Sequence, residues 1–329
     1  MGTSADKEKR IVHIINPNAG KGMVGRITSD LKDEKYVYIS KSEGDTKEII
    51  SREGLENPDT CFAVYGGDGT VYKAINAIME CGCNKTTSLK IVPIGSGNDF
   101  ARTIDTMPRE FCADVMSVND RYAINVVNMG FDCSVVERAA ELKKSPLITG
   151  GMAYALGVLG ELINKKPLKA KVTLTYLDGT QEVLDDKFLL IAVGNGKWYG
   201  GGFKVAPGAR LDDGILDVTI IKDISSATFI SLVGDFRRGT HIKDADACEL
   251  KSGTEEFLIY KKCKGVRVEG IVTVCCDGEI FKESTVDIGV IPKAINLIRH
   301  QPEKRAVAPR NNPNQPKKPD PVSKKLVTK

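Results

Sequence analysis

Residues 61–81 read CFAVYGGDGTVYKAINAIMEC: five mostly apolar residues, a glycine-rich turn, then a stretch of helical spacing. Cys61 to Tyr65 form a short apolar run that suits a strand buried on both faces. Gly66-Gly67-Asp68-Gly69-Thr70 follows, and Val71, Ala74, Ile75, Ile78 and Met79 then recur on one helical face. The unit is strand, glycine turn, helix. Reading outward, the same unit appears twice more. LKIVPI at 89–94 enters Gly95-Ser96-Gly97-Asn98-Asp99 and another helix. IVHIIN at 11–16 enters Pro17-Asn18-Ala19-Gly20-Lys21-Gly22 and a helix-like stretch to about Lys32. YVYIS at 36–40 and Thr46 to Arg52 add a strand and a helix between them. Strands alternating with helices predict an α/β N-terminal domain, a parallel sheet with flanking helices.

Beyond about residue 121 the rhythm changes. AINVVNMGF, KVTLTYL, KFLLIAVG, GILDVTII, EFLIYKKC, GVRVEG, IVTVCC and STVDIGV are apolar or alternating runs, and Asp178-Gly179 between two of them signals a hairpin. A mainly antiparallel β second domain is expected, with helices near 134–144, 150–163 and 226–238. The predicted organisation is a flexible N-terminus at 1–9, the α/β domain at 10–125, the β-rich domain at 126–285, a segment at 286–299 packing back on the first domain, and a tail at 300–329.

The 329 residues include 41 % hydrophobic and 27 % charged, the balance of a globular chain with ample core. Nine scattered cysteines, an odd number, and a polar, charged Met1 to Arg10 predict reduced thiols in a cytoplasmic setting. The net charge of +4 is unevenly placed. From His300 onward there are eight Lys/Arg against two acids, so the tail carries +6 and the remainder −2. With six of the fourteen prolines and few apolar residues, the tail is expected to be disordered, with at most weak attraction to an anionic membrane surface. Leu147 to Ile163 has Glu161 as its only charge and is flanked by Lys143, Lys144, Lys165 and Lys166. It is short for a membrane span and reads as a core or cleft-lining helix, with direct membrane contact the alternative. Basic residues without interleaved aromatics give no indication of nucleic-acid binding.

The chemistry is expected at the glycine loops. Ligands of open α/β sheets sit beyond the carboxyl ends of the strands, and successive backbone N–H groups there cradle anions. Three such loops suit a polyphosphate. None fits G-x-x-x-x-G-K-[ST] or G-x-G-x-x-G, which argues against a Walker-type ATPase or an ordinary dinucleotide enzyme. Asp68 is an acid inside an anion site; it would serve a Mg²⁺ shell or hold the loop through N–H groups, or simply form an Asx turn. Downstream, Arg210-Leu211-Asp212-Asp213-Gly214-Ile215-Leu216-Asp217 and Cys276-Asp277-Gly278-Glu279 add carboxylates. Together with a phosphate-binding half they suggest a metal and a general base for phosphoryl transfer. His13, His241 and His300 lie outside these motifs.

These loops and acidic motifs, with Gly194-Asn195-Gly196, Gly200-Gly201-Gly202-Phe203 and Pro207, resemble the diacylglycerol kinase catalytic family across residues 10–298. The resemblance implies two domains with ATP in the cleft between them. It implies nucleotide contacts at Asn16, Pro17, Asn18, Ala19, Gly20, Lys21, Thr46, Gly67, Asp68, Gly69, Thr70, Val71, Tyr72, Lys73 and Ser96. It implies a structural Mg²⁺ on Asp213 with the carbonyls of Arg210 and Ile215, and a lipid hydroxyl activated by Glu279 or Asp277, with Asp68 also catalytic. Tyr72 departs from the pattern, since many members carry Asn there; Asn76 lies one helical turn on. The implied reaction is ATP-dependent phosphorylation of diacylglycerol to phosphatidic acid. Phosphatidylglycerol, ceramide or a sphingoid base is an alternative substrate, and an NAD kinase or a non-catalytic lipid- or nucleotide-binding protein an alternative function. The implied partner is a lipid at the inner face of a membrane, contacted peripherally by a cytoplasmic protein, with room for a homodimer.

Overall fold

The computed structural model describes residues 10–20, 22–42, 44–131, 133 and 167–301. Lys21, the helices expected near 134–144 and 150–163, the weakly charged run with its flanking lysines, and the tail from 302 lie outside the described residues. Among the described residues no helix is long and apolar enough to cross a membrane.

Four strands, β1 (Ile11–Ile15), β2 (Val37–Ile39), β3 (Cys61–Gly66) and β4 (Ser88–Pro93), run parallel in the order β2-β1-β3-β4. The connecting helices are α1 (Val24–Asp30), α2 (Asp45–Glu56) and α3 (Asp68–Glu80), and α4 (Asp99–Ile104) follows β4. The helical spacing in α3 is used as expected: Val71, Ala74, Ile75 and Ile78 are buried against Phe62, Val64 and Ile91. Each fully buried aliphatic side chain of this kind contributes about 1.5–3 kcal/mol. The motif turns therefore emerge at one edge because the apolar strands and helix faces hold them there.

The second half comprises β7 (Val126–Gly130), β8 (Leu168–Thr175), β9 (Gln181–Gly194), β10 (Leu216–Lys222), α5 (Ser226–Arg238), β11 (Ile242–Asp244), β12 (Glu249–Leu250), β13 (Leu258–Cys263), β14 (Gly265–Cys276) and β15 (Glu279–Arg299). Its pairings are antiparallel, and Asp178-Gly179 lies in the turn between β8 and β9. Helix α5 is bounded by a Ser225 side chain that accepts the Thr228 N–H and by Gly239 at φ +78. GVRVEG and IVTVCC, two runs in the sequence, are one strand, β14, interrupted by a register shift between Glu269 and Val272.

Two features go beyond the sequence reading, which had only the 286–299 segment packing back on the first domain. Residues 110–118 form a strand, β5 (Glu110–Val118), followed by β6 (Arg121–Ala123). The two halves also share one hydrogen-bonded sheet, ordered β13-β10-β9-β7-β14-β15-β4-β3-β1-β2. Strand β15 makes the join. Its first part pairs with β14, and Asn296–Arg299 then lies parallel beside Ser88–Ile91 of β4. Along much of its length β15 also pairs antiparallel with β5.

Candidate active site

The parallel half presents three loops that touch through glycine. The Cα of Gly67 would lie 2.5 Å from a Cβ built on Gly95, so the second and third loops meet backbone to backbone. A Cβ on Gly66 would fall 2.3 Å from the Thr70 side chain. Asn16 donates to Thr70 Oγ1 at 2.8 Å and accepts the Asn18 N–H at 2.9 Å, which ties the first loop to the second. Asp68 accepts the Asp99 and Phe100 N–H groups at 3.2 and 3.1 Å. Asp68 thus links the second loop to the start of α4.

Asp99 extends this framework. It is 5 % exposed, pairs with Arg102 and accepts the Gly201 N–H at 2.7 Å, which brings the glycine run of the second half against α4. Burial, and then the neighbouring Asp68 charge, push its carboxyl up, partly offset by the Gly201 N–H.

The antiparallel half closes the site with the β14–β15 hairpin. Asp277 (φ +48) and Gly278 (φ +100) are its two turn residues, with Cys276 paired to Glu279. Positive φ at both positions is the geometry that Asp-Gly favours in tight hairpins. The two carboxylates of this motif have different fates. Asp277 accepts three backbone N–H groups, from Ile124 at 2.7 Å, Asn125 at 3.0 Å and Val126 at 2.9 Å. Burial pushes its carboxyl up to about 6, against the pull of those N–H groups. Glu279 is exposed, and its Oε1 stands 3.7 Å from the place a Cβ would occupy on Gly69. Asp277 thus anchors the hairpin, and Glu279 stands toward Gly69 of the second loop.

Between these walls lies a cavity of about 1250 Å³. Asn16, Asn18, Ala19, Gly20, Thr46, Gly67, Asp68, Gly69, Thr70, Lys73, Ser96, Asp277 and Glu279 all line it. The structure thus brings most of the expected residues together, from both halves. Pro17 is not among the lining residues. The side chains of Val71 and Tyr72 turn away: Val71 is core, and Tyr72 packs against the apolar cluster of the second half. Asn76 does not replace Tyr72 at the cavity; it donates to the Tyr72 and Tyr122 carbonyls and accepts the Tyr122 N–H, clamping α3 to β6.

The acidic run at 210–217 lies outside the cavity lining. Asp213 is partly buried and accepts the Ile215 N–H at 3.1 Å; burial foremost, and the nearby Asp114 among the lesser causes, raise its carboxyl. Arg210 pairs with Asp212 at 3.4 Å, and Gly214 donates to the fully buried Asp114 at 2.6 Å. Among the described residues no group of three or more His, Cys, Asp or Glu side chains is placed to hold a metal ion.

Sequence reasoning missed part of the far wall. Asn125, Asn128, Tyr199 and Arg237 line the cavity from the start of β7, the 195–203 loop and the last turn of α5, beside Phe203 of the quoted glycine run. Asn125 donates to the Trp198 carbonyl at 2.9 Å and leaves its buried Oδ1 without a protein partner. Asn195 donates to the Asp114 and Ile124 carbonyls, which fixes Gly194-Asn195-Gly196 between the halves.

Residues 10–129 match the family described as "Diacylglycerol kinase catalytic domain", and residues 125–299 match "YegS C-terminal NAD kinase beta sandwich-like domain". The chain belongs to the diacylglycerol kinase catalytic family. It is 32 % identical over 278 residues to an Alcanivorax borkumensis protein named "Probable lipid kinase YegS-like", covering 80 % of this chain and 86 % of that one. A Mycobacterium tuberculosis protein named "Diacylglycerol kinase" is 28 % identical over 273 residues, 78 % of this chain and 81 % of that one. The crystal structure of a diacylglycerol kinase from Bacillus anthracis superposes with a TM-score of 0.64 at 20 % identity, covering 89 % of this chain and 98 % of that chain, which shows a shared fold. Membership makes this a lipid-kinase-family chain, and a kinase of that family uses ATP.

Proposed function

We propose that the chain transfers the γ-phosphoryl group of ATP to the free hydroxyl of diacylglycerol, giving phosphatidic acid and ADP. The observation that carries this reading is the approach of Glu279 to Gly69: a carboxylate from one half stands over the anion-binding loop of the other. A hydroxyl is a poor nucleophile at neutral pH, and a positioned base is needed as its proton leaves.

The cavity fits a nucleotide. Gly67, Gly69, Gly95 and Gly97 leave backbone on its lining, and its volume is ample for a polyphosphate and a base. Asn16 to Gly20, Thr46, Gly67 to Thr70, Lys73 and Ser96 would bind ATP, with free N–H groups and Lys73 meeting the phosphates. Val71 and Tyr72 would contribute only through their main chain. Glu279 would accept the hydroxyl proton, while Asp277 and Asp68 keep the hairpin and loops in register.

Asp213 supplies a hard oxygen, and the carbonyls of Arg210 and Ile215 would complete a Mg²⁺ set of the kind such oxygens suit. Such an ion would be structural, since these residues lie outside the cavity lining, and it would brace the turn at 210–215. The lipid would be drawn from a membrane surface by peripheral contact at its cytoplasmic face, with no nucleic acid involved; a homodimer is compatible with this reading.

Arg237 on the cavity wall favours a second substrate, a lipid with an anionic head group such as phosphatidylglycerol. Turnover of labelled ATP against diacylglycerol, monoacylglycerol, phosphatidylglycerol, ceramide and sphingoid bases in mixed micelles tests the proposal. Diacylglycerol is expected to be the best acceptor. Preference for phosphatidylglycerol would transfer the assignment to the second reading, and phosphorylation of none would overturn both.

A further inference from the structure

Helix α3 begins at the phosphate loop and ends at a Cys-Gly-Cys turn, residues 81–83. Cys81 is the C-terminal cap, with its N–H on the Ala77 carbonyl at 3.1 Å. Gly82 follows at φ +76, a left-handed conformation that glycine adopts without steric penalty, and its N–H bonds the Met79 carbonyl at 3.2 Å. That reversal folds Cys83 back beside Cys81. The two Sγ atoms are 2.9 Å apart, and both approach the Ile78 carbonyl, at 3.5 and 3.8 Å.

The Cys83 sulfur has little room to retreat. A Cβ on Gly54 would lie 2.8 Å from Cys83 Sγ and 3.4 Å from the Phe62 ring, so α2 passes directly against this thiol. Thr87 Oγ1 donates to the Cys83 carbonyl at 2.8 Å and lies 3.8 Å from its Sγ. Cys83 is 2 % exposed, whereas Cys81 is partly open to solvent. One thiol is therefore reachable, and the second is held against it.

We infer that Cys81 and Cys83 form a thiol–disulfide site, oxidised by a low-molecular-weight disulfide of the glutathione class. The Cys81 thiolate attacks one sulfur of the oxidant, giving a mixed disulfide and releasing one thiolate. Cys83 then loses its proton to solvent base and attacks the Cys81 sulfur; the protein S–S bond forms and the second small thiolate leaves. Two protein thiols are oxidised and one small disulfide is reduced to two thiols. The closure needs roughly 0.9 Å of further approach to reach the ~2.0 Å of an S–S bond. Burial pushes the Cys83 thiol up to about 12, which slows its deprotonation, while a neighbour already in contact offsets this through its high effective concentration. The site does not depend on the kinase assignment, because neither cysteine lines the nucleotide cavity.

Cys112 supplies an internal comparison. It is exposed, with its Sγ 3.1 Å from Asn296 Oδ1. The full chain would be incubated with glutathione disulfide, quenched in acid, alkylated under denaturing conditions, digested with trypsin and weighed. Both thiols fall in the peptide Ala74–Lys85, and Cys112 in Glu110–Arg121. The expected result is an unalkylated Ala74–Lys85 peptide lighter by about 2 Da, restored by a reducing agent, and absent in Cys81→Ser. Cys112 should carry only added glutathione. Two results would overturn the inference: a stable glutathione adduct on Cys81 with Cys83 still alkylated, or full alkylation of both while Cys112 is modified.

Discussion

The two walls of the cavity are built by opposite means. The parallel half offers backbone: glycines at 67 and 95 whose missing side chains let loops touch, braced by Asn16 and Asp68. The antiparallel half offers side chains on a rigid hairpin, with Asp277 consumed in anchoring it and Glu279 left facing the opposite wall. A backbone wall is sensitive to added atoms. A side-chain wall is sensitive to lost ones. Two carboxylates separated by one glycine can thus have unrelated duties, decided by which of them the hairpin buries.

The strongest way to break this comparison is at the hairpin. Glu279→Gln should lower kcat by at least about 10²-fold with the KM for ATP unchanged, and leave the melting temperature where it was. Wild-type turnover in that variant would end the assignment of the base. Asp277→Asn should behave differently. One carbonyl oxygen cannot accept what two carboxylate oxygens accept, and stranding a buried N–H costs about 1–3 kcal/mol, so thermal unfolding should shift down by several degrees. If the two variants prove equally stable and equally slow, the division of labour is wrong.

Gly95→Ala probes the other wall. Its methyl would sit 2.5 Å from Gly67 Cα, so the loops must separate. Nucleotide affinity, measured by titration calorimetry, should fall by about tenfold or more, a loss of roughly 1.4 kcal/mol. Undiminished affinity would show that the Gly67–Gly95 contact does not shape the site.

The smallest effect concerns buried ionisable groups of the antiparallel half. Asp217 is fully buried beside the Tyr260 hydroxyl, and burial pushes its carboxyl up to about 6. The folded chain holds that proton more tightly than the unfolded one, so this stabilisation is present below about pH 4 and is lost as pH rises through about 6. His241, fully buried and stacked on Phe236 at 3.9 Å, is pushed down to about 4 by burial. Its contribution has the opposite sign: present above about 6.5 and lost as pH falls towards 4. Asp217→Asn should gain melting temperature relative to the wild type between pH 4 and 6, and His241→Leu should lose it over the same interval, each by on the order of 2–4 °C. Scanning calorimetry at intervals across that window would reveal parallel curves if neither group titrates as buried.

Much of the parallel half was legible because its strands are apolar runs and its turns need glycine, both local properties. Strand β5 escaped because Asp114 interrupts its apolar pattern; that acid is buried only because the Gly214 and Lys293 N–H groups reach it from distant segments. The continuity of β15 with β4 has no local signature, since register between segments some 200 residues apart is set by packing. At the site, the spacing of Asp277 and Glu279 announced a carboxylate pair without saying which was buried. Asn125, Tyr199 and Arg237 were invisible for the same reason: nothing near them in the chain indicates that α5 and the 195–203 loop approach the cavity.

Strand β15 has a consequence for how the chain is made. A ribosome releases β4 just over 200 residues before Asn296–Arg299 exist to lie against it. Through that interval the Ser88–Ile91 edge has an unfilled neighbour, and such edges invite pairing with other chains. Completion of the sheet waits for the last strand, a contact distant in sequence and correspondingly slow to form. A fragment ending near residue 129 would keep that edge open permanently, so the nucleotide-binding half is expected to aggregate when expressed alone, however intact its loops.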